Sequence, residues 1–153
     1  MKPDKIYIDT MFLIRWFLFR FRRVKHESPP IIIEFLRNHG EIKKFISIVS
    51  MAEFIKVLLY DKDFINYKLT TSYANKLIQE LQDVIELKVI HGEKISDDIV
   101  LYIERHPELI DCIHLDIAKS NELCFITDEK KIGKLKAVYG NIMTENKLMK
   151  QFD

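Results

Sequence analysis

The sequence is poor in the residues that interrupt or staple a chain. Four glycines and four prolines are spread over 153 residues, with no internal repeat or low-complexity tract. No stretch therefore reads as an interdomain linker. The two cysteines, Cys112 and Cys124, sit inside apolar patterns and match neither CxxC nor any zinc-ligand spacing. They read as buried thiols in a reducing compartment. Long hydrophobic runs are also missing. Residues 11–21 are strongly apolar, but Arg15 and Arg20 interrupt them, and the run falls short of the ~20 residues that span a bilayer. No segment reads as a secretory signal. Net charge is scarce as well: at +1, the whole-molecule balance names no partner. The expectation is one soluble, cytoplasmic domain over residues 1–153.

Hydrophobic residues make up 48% of the chain, enough for a single core. The charge is uneven. Residues 1–30 carry seven Lys and Arg (Lys2, Lys5, Arg15, Arg20, Arg22, Arg23, Lys25) against three acids (Asp4, Asp9, Glu27).

The stretch KIYIDT, residues 5–10, alternates apolar and polar side chains and ends its apolar run on Asp9. It predicts a short buried strand that delivers a carboxylate to its C-terminal tip. A helix over 11–25 follows, apolar on more than one face, which fits either a thick core stripe or a surface for a partner chain or substrate. Ser28-Pro29-Pro30 ends it, and a second helix spans 31–39 with Gly40 as its C′ residue. The next strand covers 44–49, and a helix over 51–60 takes Ser50 as N-cap. An amphipathic run fills 63–86, and 87–90 is a short extended piece. Helices follow over 95–105 and from Pro107 to about 122. The strand LCFIT, 123–127, leads to Asp128 and Glu129, then a short basic helix over 130–136. A strand over 141–144 and a helix over 145–152 close the chain. Strands separated by helices imply a parallel sheet covered on both faces, an α/β fold of the three-layer α/β/α sandwich type.

In such sheets ligands gather at the carboxyl ends of the strands. Asp9 ends the first strand, Glu53 lies in the first turn after the second, and Asp111 begins the helix opened by Pro107. Asp128 and Glu129 follow directly on LCFIT. Carboxylates brought together repel one another unless a cation neutralises them, and Mg²⁺ or Mn²⁺ suits hard oxygen ligands. Each acid also has a local structural reading. Ser50-x-x-Glu53 spells a capping box. Asp111 suits a helix N-terminus, Asp128-Glu129 a turn or cap, and Asp9-Thr10 the cap of the first helix. All four would then fall at one sheet edge by coincidence. Five residues along a helix put Asp116 about 140° from Asp111, outside its ligand set. His114 lies nearer that face.

IYIDT, SIVSMAEFIKVL and LIDCIHLDIAKSNELCFITDEKKI, in this order, resemble the PIN-domain nucleases, especially VapC-type toxins of toxin–antitoxin pairs. The resemblance covers nearly the whole chain and implies the same parallel α/β/α sandwich. It places Asp9, Glu53 and Asp111 as the first three metal-site acids. For the fourth, the Thr-x-acid pattern points at Glu129, while Asp128 carries the usual residue type one place early. It makes His114 structural and gives Thr127 a hydrogen bond to an acid or water of the site. Met11 departs from the small polar residue common in relatives two places after the first aspartate.

The function implied is Mg²⁺- or Mn²⁺-dependent hydrolysis of RNA phosphodiester bonds. Arg15, Arg20, Arg22, Arg23 and Lys25, with Lys130, Lys131 and Lys134, are candidate phosphate contacts. Their other reading is a solvated helix face. An antitoxin protein and a homodimer are the partners implied, the apolar helix over 11–21 being the surface expected to receive the antitoxin. The competing reading is a catalytically degenerate module that binds RNA or protein without cleavage, which Met11 and the displaced fourth acid favour. A receiver-like signalling domain also gathers acids at strand ends, but Asp4 and Asp9 do not supply its adjacent acidic pair.

Overall fold

The computed structural model describes residues 1–22, 29–91, 96–105, 108–127 and 135–153. Five parallel strands form one sheet in the order β3-β2-β1-β4-β5: β1 Lys5–Ile8, β2 Lys43–Ser47, β3 Leu87–Ile90, β4 Cys124–Ile126 and β5 Ile142–Met143. Around it lie α1 Met11–Arg22, α2 Ile31–Asn38, α3 Ile48–Tyr60, α4 Thr71–Ile85, α5 Ile99–Arg105, α6 Leu109–Ser120 and α7 Glu145–Met149. The parallel α/β/α sandwich expected from the strand–helix alternation is the fold observed.

Period-2 alternation splits the core in two. Ile6 and Ile8 of β1, with Cys124 and Ile126 of β4, face a large cluster built with α1, α2, α3 and α4. Tyr7 and Phe125 point the other way, into a smaller cluster with Cys112, Leu115 and Ala118 of α6. Both cysteines are free and buried. From β1 the chain runs to β2 and β3 on one side, and the connection from β3 crosses to β4 on the other, so the winding switches between β1 and β4 and a crevice opens at their carboxyl ends.

The aromatic faces of α1 are largely consumed by the protein's own core. Phe12, Leu13, Trp16 and Phe17 are buried, and Ile14, Leu18, Phe19 and Phe21 pack against them. Phe17 meets Phe64 edge-on at 5.3 Å, and Phe21 meets Tyr67 at 4.8 Å between centroids. Ile14, Leu18, Phe19 and Phe21 are half-buried, so the helix expected to receive a partner packs largely into the protein's own core. Exposed apolar side chains lie instead on α3 (Ile48, Tyr60), α5 (Val100, Ile103) and the start of α6 (Leu109, Ile110).

Several features differ from the sequence reading for local reasons. The helix expected from residue 51 begins at Ile48, because Ser47 is the N-cap and accepts a hydrogen bond from the Ser50 amide at 3.1 Å. The Ser50–Glu53 capping box is thus absent, and Glu53 sits in the second turn. The run over 63–86 is broken: a 3₁₀ turn Ile65–Tyr67 ends at Lys68 in the left-handed region, and Thr70 caps α4 through the Tyr73 amide. Gly40 does follow α2, but its φ lies outside the left-handed region. Lys68, Glu86 and Glu122 take that conformation instead. Pro107 and most of the basic helix expected over 130–136 lie outside the described residues.

Candidate metal centre

β1 runs directly into the site. Its last residue is followed by Asp9, which is 3% exposed and accepts a hydrogen bond from Thr127 Oγ1 at 2.9 Å. Thr127 follows β4, the strand beside β1, so this bond closes the crevice between the two strand ends. The expectation that Thr127 would bond an acid matches the geometry.

Glu53 reaches the crevice from α3. Its Oε2 accepts from Thr10 Oγ1 and from His114 Nε2, the latter at 3.1 Å. His114 is wholly buried on α6, and its Nδ1 lies 2.7 Å from the Tyr7 hydroxyl. That hydroxyl also meets Ser47 Oγ at 2.8 Å and Ser50 Oγ at 3.1 Å.

Proton counting fixes the direction of this network. A carboxylate only accepts, so His114 Nε2 carries the hydrogen it shares with Glu53. In the neutral ring Nδ1 is then bare and accepts from Tyr7. Tyr7 has spent its one proton, so its oxygen accepts from Ser47 and Ser50. The chain Ser47/Ser50 to Tyr7 to His114 to Glu53 is therefore satisfied with a single tautomer, and it anchors Glu53 in the core on the α6 face of the sheet.

Asp9, Glu53 and His114 each present a ligand atom, all within 4.8 Å of one another. Oxygen ligands at about 2.1 Å from Mg²⁺ lie up to about 4.2 Å apart, so the three atoms are gathered to nearly the size of one coordination sphere. The donor set fits a hard divalent cation: two carboxylates face it, and His114 Nε2 is engaged by Glu53. Asp111 is 4% exposed in the first turn of α6, one turn before His114, and its carboxylate is outside that set of three. Asp128 and Glu129 lie outside the described residues. Asp116 turns away, as its angular position requires, and accepts from the amide and hydroxyl of Ser96 ahead of α5.

The basic residues are distributed differently from a bare cationic face. Arg15 pairs with Glu145 at the start of α7, and Arg20 Nε pairs with Glu80 of α4 at 3.0 Å. The side chains of Arg22, Arg23, Lys25, Lys130, Lys131 and Lys134 are outside the described set. Sequence reasoning undervalued His114 and missed Tyr7, Thr10 and Ser47 as supports of Glu53. The one usable signal was register: Tyr7 is the polar-tipped residue of an otherwise aliphatic strand, two places before the acid.

The parallel α/β/α sandwich thus brings Asp9, Glu53 and His114 together at its topological switch point as a candidate site for a divalent cation. Residues 6–138 match the model of the PIN domain, and the chain belongs to the PIN-domain family. PIN domains are generally metal-dependent nucleases. No curated protein matches the chain. Among the described residues no helix is long and apolar enough to cross a membrane.

Proposed function

We propose that this PIN domain is an endoribonuclease that hydrolyses RNA phosphodiester bonds with Mg²⁺ or Mn²⁺, and that it acts as the toxin of a toxin–antitoxin pair in the cytoplasm. The observation that carries the reading is the convergence of Asp9, Glu53 and His114 within 4.8 Å at the crevice between β1 and β4. Asp9 and Glu53 would hold the cation, with Asp111 and then Asp128 or Glu129 completing the acidic edge. Such an ion supplies Lewis-acid polarisation of a phosphoryl oxygen and a water of lowered pKa.

The chain's own side chains fix the geometry. Thr127 holds one oxygen of Asp9, while Thr10 and His114 hold one oxygen of Glu53. Both carboxylates are thereby oriented before substrate arrives, so no reorganisation is needed when charge builds on the phosphate. Burial of Asp9, Asp111 and His114 keeps bulk water from competing for these contacts. An antitoxin protein and a second copy of the chain are the partners this reading adds, both carried by the resemblance to VapC-type toxins.

The test is cleavage of a mixed pool of single-stranded and structured RNA, with Mg²⁺ or Mn²⁺ against EDTA, for wild type and Asp9→Asn. Cutting that requires the ion and disappears in the variant supports the reading. Cutting that survives both identifies a contaminant, and RNA retention without cutting supports a binding module.

A further inference from the structure

Glu53 belongs to two features at once. It is a member of the acidic cluster, and it forms part of the wall of a cavity of about 520 Å³ lined also by Val49, Lys56, Val57, Tyr60 and Ile110. Four of these come from one face of α3. At 100° per residue, Val57 and Tyr60 fall within about 40° of Glu53 and Lys56 within about 60°. Tyr60 lies about 10 Å along the helix axis from Glu53. The ring of Tyr60 is 72% exposed, and Ile110, immediately before Asp111, closes the opposite wall.

We infer that this cavity is a nucleotide subsite: it takes the base of the single-stranded RNA residue next to the reacting phosphodiester, stacked on Tyr60, with Lys56 on its phosphate. The inference rests on the endoribonuclease reading and deepens it. Three observations select this occupant. Whatever fills the cavity touches Glu53, so the cavity is continuous with the acidic cluster rather than a separate face. Its lining pairs Tyr60 and aliphatic walls, which suit a base, with the Lys56 ammonium, which suits a phosphate; Asp61 also lines it, at the far end of α3 from Glu53. Its volume falls in the range of small-molecule sites. A base inside a duplex could not enter without unstacking, so the substrate is single-stranded at this position.

The experiment uses the full chain and a random-sequence single-stranded RNA carrying photoreactive thiouridine, irradiated in EDTA and mapped by peptide mass. Cleavage kinetics are measured in parallel with Mn²⁺. The expected adduct lies on the α3 peptide containing Tyr60. Tyr60→Ala lowers the cross-linked fraction and raises KM about tenfold with kcat nearly unchanged, while Tyr60→Phe keeps both. Adducts confined to other peptides, or an unchanged KM in Tyr60→Ala, overturn the subsite. So does a wild-type dimer that Tyr60→Ala splits while RNA cleavage is unaltered, which assigns the face to a second copy. Wild type that cross-links at Tyr60 but never cleaves overturns the nuclease reading and leaves the subsite standing. Wild type that cleaves without that cross-link overturns the subsite alone.

Discussion

Tyr7 shows how much one hydroxyl can decide. Its proton satisfies the bare Nδ1 of His114 while Nε2 donates to Glu53. Tyr7→Phe leaves the ring packed against Phe125 but removes the donor to Nδ1. The expected result is a loss of about 10–100-fold in kcat with KM little changed. Long-range nitrogen–proton NMR of His114 should show Nε2–H in both proteins, with the Nδ1 resonance shifted in the variant by loss of its donor; an unshifted Nδ1 resonance with full activity would refute the role. The acids of this site were easier to find in the sequence than their supports. Asp9 and Glu53 stand out because a carboxylate at a strand end or on a helix beside it needs explaining. Tyr7, Thr10 and His114 do not, because a tyrosine in a strand or a histidine in an apolar helix has an ordinary core role until the third dimension joins them. The cysteines are simpler. Burial pushes the Cys124 thiol up to about 12, and burial with the neighbouring Asp111 charge also raises Cys112. Thiolate is the reactive form, so neither should alkylate at pH 8 in the native protein, and both should do so in denaturant.

At the scale of elements, the shortage of glycine has a measurable cost. The C-terminus of α6 closes as a Schellman motif: the Leu123 amide bonds the Ala118 carbonyl at 2.8 Å, and the Glu122 amide bonds that of Lys119 at 3.0 Å. The C′ position is held by Glu122 at φ 55°, where a Cβ is disfavoured. Glu122→Gly should therefore stabilise the fold by about 1 kcal/mol, read as a rise of about 2–4 °C in Tm. In α1, Phe17 is fully buried and central to the aromatic packing with Phe21 and Phe64. Phe17→Ala should cost about 3–5 kcal/mol in chemical denaturation. Strands and helices were legible here because β1 and β4 carry continuous apolar runs and the amphipathic helices keep their period. Their ends were not. Ser47 and Ser50 are equally good caps in one dimension, and only the hydrogen bond from the Ser50 amide to Ser47 Oγ chooses between them. Nor does apolar excess on α1 tell core from interface, since α4 and the 3₁₀ turn that cover it lie more than 40 residues away in sequence.

At the scale of the whole molecule, one buried charge among the described residues works against folding. Lys44 of β2 is 2% exposed, and burial lowers its pKa against the partial pull of Glu86 and Glu41. The unfolded chain keeps that proton to higher pH than the folded one. Folding is therefore penalised below the folded value, and the penalty fades as pH climbs from there towards 10.5. Lys44→Met should melt above wild type at neutral pH, and the gap should narrow as pH approaches 10.5. Cation binding should act in the other direction: Mn²⁺ at a hundred times its Kd should stabilise wild type by about 2.7 kcal/mol and leave Asp9→Asn unmoved, as differential scanning would show. The hydrogen bond between Thr127 and Asp9 joins residues 118 positions apart. Translated at about 5–20 residues per second, a ribosome has Asp9 behind it for about 6–24 s before it reaches Thr127. His114 and Asp111 come nearly as late. The emerging protein thus carries its first acid long before it can aim it, and the site is finished only when almost the whole chain has been made.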